Sequence, residues 1–410
     1  MTIWLINPYG PIPSESWRYY SFVMMADALT SAGHDVVWWT SNYSHHFKRF
    51  RSKGWHDIDV NERFKIRLVP TTGYKRNIGF GRILRDALFA YRCYARGKSL
   101  PAPDCIIYSE SPLTFGFAGQ KLARFHRCPV IFHQMDLWPE LFEQVFPKFT
   151  RPLIKAFLYP IYRNRRNIYS QLDAVIALAK PYLQVPLNEA PILRTRPHLV
   201  VYNGIDVKHF RELMVKKGSL NVDLPPKQPG EVWAVFAGSL GPSYDIPTLI
   251  SVSKLLQTSG LNLKIVIAGD GPLRTDVEKH AATKDSRMLY LAELVPDKLA
   301  SLYHVCDIAL CAYSQRSNVE MPDKIYDYTA AGLPVINSLN GEVGEMIRER
   351  KIGLQYRAGD AHDLLSALKR LANDPALRQE MAKNSFSAGA EYDKNVQYGK
   401  LVELTEKLSC

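Results

Sequence analysis

The sequence predicts an α/β protein: two Rossmann-like, doubly wound domains in tandem that face a central cleft. Three observations carry this expectation. At 410 residues the chain exceeds the size at which one hydrophobic core keeps growing, so two domains are the default. Short, continuous apolar runs alternate with amphipathic stretches through the first half, the pattern of parallel strands covered by helices on both faces. A polar segment at 211–231, with Pro225, Pro226, Pro229 and Gly230, interrupts this alternation, which then restarts. The expected domains are residues 1–210 and 231–389, with a last helix in 390–410 packing back on the first.

The elements follow in order. Residues 2–7 form a strand, 16–32 a helix ended by Gly33, and 34–40 a second strand; further apolar runs at 104–108, 129–132, 174–177 and 199–202 complete the first sheet. Residues 233–238, 264–269, 307–311 and 334–336 are the strands of the second. Asp245 is the expected N-cap of the helix that Pro247 opens, and a short helix after Pro322 ends at Gly332.

Composition narrows the function classes. With 46% hydrophobic and 22% charged residues the chain has the make-up of a soluble globular protein. Cys93, Cys105, Cys128, Cys306, Cys311 and Cys410 form no CxxC pair and no zinc-type cluster, which favours free thiols in a reducing cytoplasm and no metal. Residues 2–7 read as a strand rather than a signal peptide, and no apolar run approaches the ~20 residues that span a bilayer. The net charge of +12 is concentrated: residues 44–100 hold 14 Lys/Arg against 4 Asp/Glu, and residues 147–169 hold 6 against none. Aromatics interleave with both patches, including His45, Phe50, Trp55, Tyr74, Phe80 and Tyr91 in one and Phe149, Phe157 and Tyr159 in the other. This mixture suits an anionic membrane surface, with a solvated face over a packed core as the alternative. Nucleic acid ranks lowest, since no nucleic-acid module is visible.

The loops at strand ends carry the candidate chemistry. Pro322, Asp323 and Lys324 open the short helix, where free N–H groups and the Lys324 charge suit a phosphate, and Asp327 is placed to hold sugar hydroxyls. Gly238, Ser239, Leu240 and Gly241 leave one strand, and Gly269 and Gly271 leave the next; glycines there let the backbone approach a diphosphate. In the first domain Tyr9, Gly10 and Arg18 occupy the equivalent strand-to-helix position. His133 and Asp136 end another strand; a lone histidine is more often structural, but a carboxylate at that edge lies where ligands bind.

In order along the chain stand Asp136-Leu137-Trp138-Pro139-Glu140, Asn203-Gly204-Ile205-Asp206, Phe236-Ala237-Gly238-Ser239-Leu240-Gly241, Ala268-Gly269-Asp270-Gly271-Pro272, and Pro322-Asp323-Lys324-Ile325-Tyr326-Asp327-Tyr328 with Gly332-Leu333-Pro334-Val335. Together they resemble the retaining GT-B glycosyltransferases of family 4, especially the bacterial cell-surface polysaccharide branch. The resemblance implies a nucleotide sugar held by the second domain without a metal or other cofactor, and a lipid-linked or oligosaccharide acceptor held by the first. It also implies work at the cytoplasmic face of the membrane. Lys324, Asp136 and Glu320 become the candidate catalytic residues, with Glu320 or Asp323 near the sugar. Three departures stand out. Val319, not a glutamate, lies eight residues before Asp327; no Arg or Lys follows Gly241 in Pro242-Ser243-Tyr244-Asp245; and Met135 precedes Asp136 where relatives often have histidine. A sugar-nucleotide epimerase, a phosphorylase or a silent nucleotide-sugar-binding partner remain open.

Overall fold

The computed structural model describes residues 1–15, 20–75, 79–109, 116–140, 147–216 and 224–409. The chain divides into two units, Met1–Asn203 with Gln397–Cys410, and Gly204–Val396.

The first unit is built on strands β1 (Thr2–Ile6), β2 (Asp35–Ser41), β3 (Tyr43–Ser44), β4 (Arg49–Phe50), β5 (His56–Asp59), β6 (Phe64–Val69), β7 (Cys105–Tyr108), β8 (Val130–Gln134), β9 (Ala174–Ala177) and β10 (His198–Val200). Among the described residues the main sheet runs β10-β9-β8-β7-β1-β2-β6-β5, parallel except for the β5–β6 hairpin edge. Strand order reverses between β7 and β1, so the loops after these strands open at a topological switch point, the usual ligand position in such sheets. Alternate residues feed two cores: Trp4, Ile6 and Phe132 face one way, and Ile3, Leu5 and Ile131 the other. The helix Lys394–Ser409 adds Tyr398, Leu401 and Leu404 to the second of these.

The second unit carries β11 (Val232–Ala237), β12 (Leu263–Ala268), β13 (Met288–Leu291), β14 (Ile308–Cys311), β15 (Val335–Asn337) and β16 (Gly353–Gln355) in the order β13-β12-β11-β14-β15-β16, all parallel. Its switch point lies between β11 and β14.

The α/β class and each expected strand are present, with ends within about two residues, the usual scatter of such boundaries. Strands β3, β4, β5, β6, β13 and β16 were not expected. Phe64-Lys65-Ile66-Arg67-Leu68-Val69 alternates apolar and polar residues, but the surrounding charge masked the period. The first helix spans Ser21–Ser31 after a 3₁₀ turn at Pro13–Glu15, and Gly33 turns at φ +90° beyond it. The first unit ends at Asn203 rather than at 210, because helix Val207–Val215 packs on helices Pro296–Val305 and Asp323–Ala331 of the second; it also takes up the start of the expected linker. Asp245 does occupy the N-cap position, yet its carboxylate accepts from Thr248 Oγ1 (2.7 Å), Tyr356 OH (3.1 Å) and the Gly359 N–H (2.8 Å), not from its own helix's backbone.

Arg165, fully buried, fastens the 136–140 turn. It forks onto both Glu140 oxygens (2.7 and 2.8 Å), donates through Nε to Glu189 (2.9 Å) and also bonds the Trp138 carbonyl. Those hydrogen bonds outweigh burial and hold the guanidinium above its ordinary pKa. Removing one member of such a buried set leaves unbalanced charge, so Arg165→Met is expected to cost about 3 kcal/mol in urea denaturation. A loss below ~1 kcal/mol would show the cluster to be dispensable.

Candidate functional site

The second unit's glycine loops pack backbone on backbone. A Cβ on Gly269 would stand 1.9 Å from the Gly238 carbonyl oxygen, and one on Gly271 would stand 2.8 Å from Leu240 backbone atoms. The Gly238 N–H donates to the Ala268 carbonyl (3.0 Å) and the Leu240 N–H to the Asp270 carbonyl (2.8 Å). Glycine is therefore required at 269 and 271 by the neighbouring loop, and two N–H groups of the first loop are already committed within the fold.

Lys324 stands at this switch point. It lies in the first turn of helix Asp323–Ala331, on the chain leaving β14, while Gly238 leaves β11. The Lys324 ammonium lies 3.1 Å from where a Gly238 Cβ would be, a tight contact, and Gly238 takes φ +144°, which favours glycine. Three rings enclose it: Phe236 at 4.1 Å, Tyr244 at 4.3 Å and Tyr313 at 5.0 Å from Nζ. Cation–π attraction of ~0.5–2 kcal/mol per ring offsets part of the cost of burying the charge. The Lys324 side chain thus ends beside Gly238, the first glycine of that loop.

The other second-unit candidates divide. Pro322 is buried at the helix's N-cap position, Asp323 is exposed in its first turn, and Asp327 is buried within it. Glu320 lies apart: its Oε2 accepts the Glu342 N–H (3.0 Å) at the start of helix Gly341–Glu349, and a Cβ on Gly341 would collide with it. It lines a cavity of about 680 Å³ beyond β14, β15 and β16, with Ser314, Ser338 and Gln355. Its carboxylate serves as a helix cap in this structure.

In the first unit Tyr9 and Asp136 both interact with Arg82. The Tyr9 hydroxyl donates to Asp86 (2.7 Å) and accepts from Arg82 Nε (3.0 Å). Asp136 is an exposed residue with many protein neighbours around its carboxyl; burial raises that group's pKa and the Arg82 charge opposes the rise. Gly10 is structural: at φ +92° it lies under the Tyr20 ring, which a Cβ would strike at 2.2 Å. Arg18 lies outside the described residues. His133, expected on the acceptor side, is fully buried against Phe22 with ring centroids 5.8 Å apart. Neither of its ring nitrogens has a hydrogen-bond partner among the described residues, and burial lowers its pKa to about 3. It offers no surface to a ligand here. The sequence reading does not find the cluster of Arg82, Arg85 and Asp86 or the ring cage around Lys324; interleaved charges and aromatics are the available signal for the first.

Two doubly wound units with glycine loops and a lysine at the second switch point define the GT-B class. The chain belongs to the GT-B glycosyltransferases: residues 21–209 match the family described as Glycosyltransferase Family 4, and residues 225–387 match Glycosyl transferases group 1. A sulfoquinovosyl transferase of Arabidopsis thaliana is 22% identical over 73% of this chain, which spans 57% of that relative's length. Alpha-monoglucosyldiacylglycerol synthase of Streptococcus pneumoniae is 22% identical over 82% of this chain and 74% of its own. The crystal structure of Anabaena HepE in complex with UDP superposes with a TM-score of 0.68 at 14% identity, covering 99% of this chain and 100% of that one, a likeness of fold.

Two outcomes are expected. Lys324→Met fills the ring cage without charge, so the melting temperature should stay near wild type. Turnover should fall roughly a hundredfold, the ~3 kcal/mol typical of one lost electrostatic contact to the transition state. Near-normal turnover would remove Lys324 from the chemistry. For His133 the folded pKa lies below the unfolded one, so the unfolded chain binds a proton that the native chain refuses. Stability present above about pH 6.5 is then lost as pH falls toward about 3, by up to ~1.4 kcal/mol per pH unit. Urea titrations from pH 7 to 4.5 should show a shallower loss for His133→Leu; an unchanged slope would sink this assignment.

Proposed function

We propose that this protein transfers a sugar, with retention of configuration, from a nucleoside diphosphate donor to a lipid-linked or oligosaccharide acceptor. The setting is cell-surface polysaccharide synthesis at the cytoplasmic face of the membrane. The observation that carries the reading is the Lys324 ammonium held beneath Gly238 at the second unit's switch point. Transfer breaks the bond between the sugar's anomeric carbon and the diphosphate oxygen, and negative charge grows on the departing diphosphate. A fixed cation at that point stabilises the transition state more than the ground state. With Lys324 and helix N–H groups in that role, the reaction needs no divalent ion. The UDP bound by the HepE structure makes a uridine diphosphate sugar the first donor to try. Asp327 is assigned to the ribose, Asp323 to the sugar side and Asp136 to hydroxyls of the acceptor.

The lipid side rests on an exposed ridge. Phe149 (85% exposed), Leu153 (74%) and Phe157 (81%) recur every four residues, so one face of the 148–157 helical stretch presents them together, with Tyr159 following. Exposed Lys155, Arg163 and Arg166 flank it. Apolar side chains ringed by cations suit an anionic lipid surface, each cation that reaches it adding up to ~1 kcal/mol. In the 44–100 patch, by contrast, Phe50, Trp55, Phe80 and Tyr91 are exposed while Tyr74, Arg85 and Asp86 are buried, so only part of it is available to lipid. Among the described residues no helix is long and apolar enough to cross a membrane. Alpha-monoglucosyldiacylglycerol synthase, by its name a maker of a glycolipid, supports a lipid acceptor.

The experiment is transfer from radiolabelled nucleoside diphosphate sugars to lipid-linked acceptors in EDTA, with cosedimentation on anionic and neutral vesicles. Transfer should persist in EDTA. Binding to anionic vesicles should weaken with salt and drop at least tenfold in Leu153→Asp/Phe157→Asp, whose exposed positions leave folding intact. Donor binding without transfer to any acceptor would favour a silent binding partner, and no sedimentation at low salt would favour a soluble acceptor.

A further inference from the structure

Away from its glycine loops, the second unit holds the cavity of about 680 Å³ at the carboxyl ends of β14, β15 and β16. Its walls are the loops that follow these three strands. A hollow of that size falls within the ~300–1,000 Å³ of small-molecule sites. Sheet order sets it apart from the donor loops. Gly238 and Gly269 follow β11 and β12, on one side of β14, whereas β15 and β16 lie on the other. The boundary is closed by backbone pairing: Tyr244 bridges Tyr313, and the Ser314 N–H donates to the Ser243 carbonyl (3.0 Å). The segment from 313 to 320 therefore stands between the Gly238 loop and the cavity.

Hydroxyls, carboxamides and a carboxylate make up most of the polar lining. Some of these groups are fully occupied within the fold. The Ser338 hydroxyl donates to the Tyr313 carbonyl (2.8 Å) and accepts the Tyr313 N–H (2.8 Å), and the Gln355 side-chain oxygen accepts from Asn337 Nδ2 (2.9 Å). Gln315 donates through Nε2 to the Ala358 carbonyl (2.7 Å). Others are not. The Ser314 and Ser317 hydroxyls are buried and have no hydrogen-bond partner among the described residues, although both residues line the cavity. Glu320 brings its carboxylate to the same wall, seated at Gly341, where a side chain would strike it. Arg357 is the cation at the rim, with its side chain 79% exposed.

We propose that this cavity binds an uncharged glycosyl residue, at a site separate from the one that holds the donor's diphosphate. A sugar ring carries hydroxyls that donate and accept together, which matches serine hydroxyls, amide groups and a carboxylate acceptor. The carboxylate in the wall disfavours phosphate and other anionic ligands. Leaving the two serine hydroxyls unpaired costs stability, and a small turn of each side chain toward a ring oxygen would recover it. The segment that lines the cavity continues through Pro322 into the helix start that carries Lys324. This inference depends on the second unit's own geometry and not on the transfer reaction, so it stands or falls apart from the transferase reading.

Ligand-observed NMR and calorimetry on the full chain test it, with the methyl glycosides of glucose, galactose, mannose, rhamnose and N-acetylglucosamine as probes and glucuronate as the charged counterpart. At least one neutral glycoside should bind saturably, and more tightly than glucuronate. Ser314→Ala/Ser317→Ala removes two hydroxyls that have no partner, so its melting temperature should match or exceed that of wild type while the glycoside binds roughly tenfold more weakly. Asn340 is exposed, lines the cavity and makes no side-chain bond to the helix it precedes, so Asn340→Phe should fold normally and obstruct the site with a similar loss. Lys324→Met should bind the glycoside as wild type does. Absence of saturable binding for every neutral glycoside, or binding unchanged in both cavity variants, overturns the proposal. Loss of binding in Lys324→Met overturns it as well, because the sugar would then lie at the donor loops.

Discussion

Parallel strand pairing is the constraint on which the rest depends. Each strand of the second unit, and each main-sheet strand of the first except β5, runs the same way as its neighbour. A parallel pair requires a crossover, and crossovers cover both sheet faces with helices, leaving one edge for all the strand-to-helix turns. Chemistry-bearing residues far apart in sequence thereby reach a common edge. Gly238 and Lys324 meet because β11 and β14 are neighbours at a reversal of strand order, just as Tyr9 and the edge of β8 share one rim in the first unit.

Within that frame, close approach sets what each loop can do. The Gly238 and Gly269 turns touch through their backbones, which ties the two loops together and commits the Gly238 and Leu240 N–H groups within the fold. No Arg or Lys stands in Pro242-Ser243-Tyr244-Asp245 after Gly241, and the cation beside Gly238 is Lys324, among the rings of Phe236, Tyr244 and Tyr313. The same device recurs in the first unit, where Tyr9 and Tyr74 steady Arg82, Arg85 and Lys48. In both places aromatic faces hold positive charge within the fold; in the first unit the Asp86 carboxylate, bonded by Arg85, joins them.

Basic residues in this chain thus stand in different surroundings. Arg165 is structural and spends its donors on Glu140, Glu189 and the Trp138 carbonyl. Lys155, Arg163 and Arg166 lie outside, beside exposed Phe149, Leu153 and Phe157. Lys48 and Arg82 face a rim that also carries Asp136. In the sequence these belong to two basic patches, 44–100 and 147–169; burial and partners separate the members of each.

What the sequence by itself determined was local: the apolar runs that became strands, the amphipathic stretches between them, the glycine ending helix Asp323–Ala331 in a left-handed turn, and hence the α/β class and its two-unit plan. Such features depend on a residue and its near neighbours, and a period of two or a required positive φ is visible in one dimension. Side-chain employment was settled only in three dimensions. His133 stood at a strand end like a ligand contact and proved to lie under Phe22; Glu320 stood beside Lys324 and proved to cap a helix beginning at Gly341; Tyr74 and Arg85 stood in a surface-like patch and proved to be buried. In each case the deciding partner is distant along the chain, and whether a polar group is available for chemistry depends on the water it has lost and the partners it has gained. Only the tertiary structure decides both.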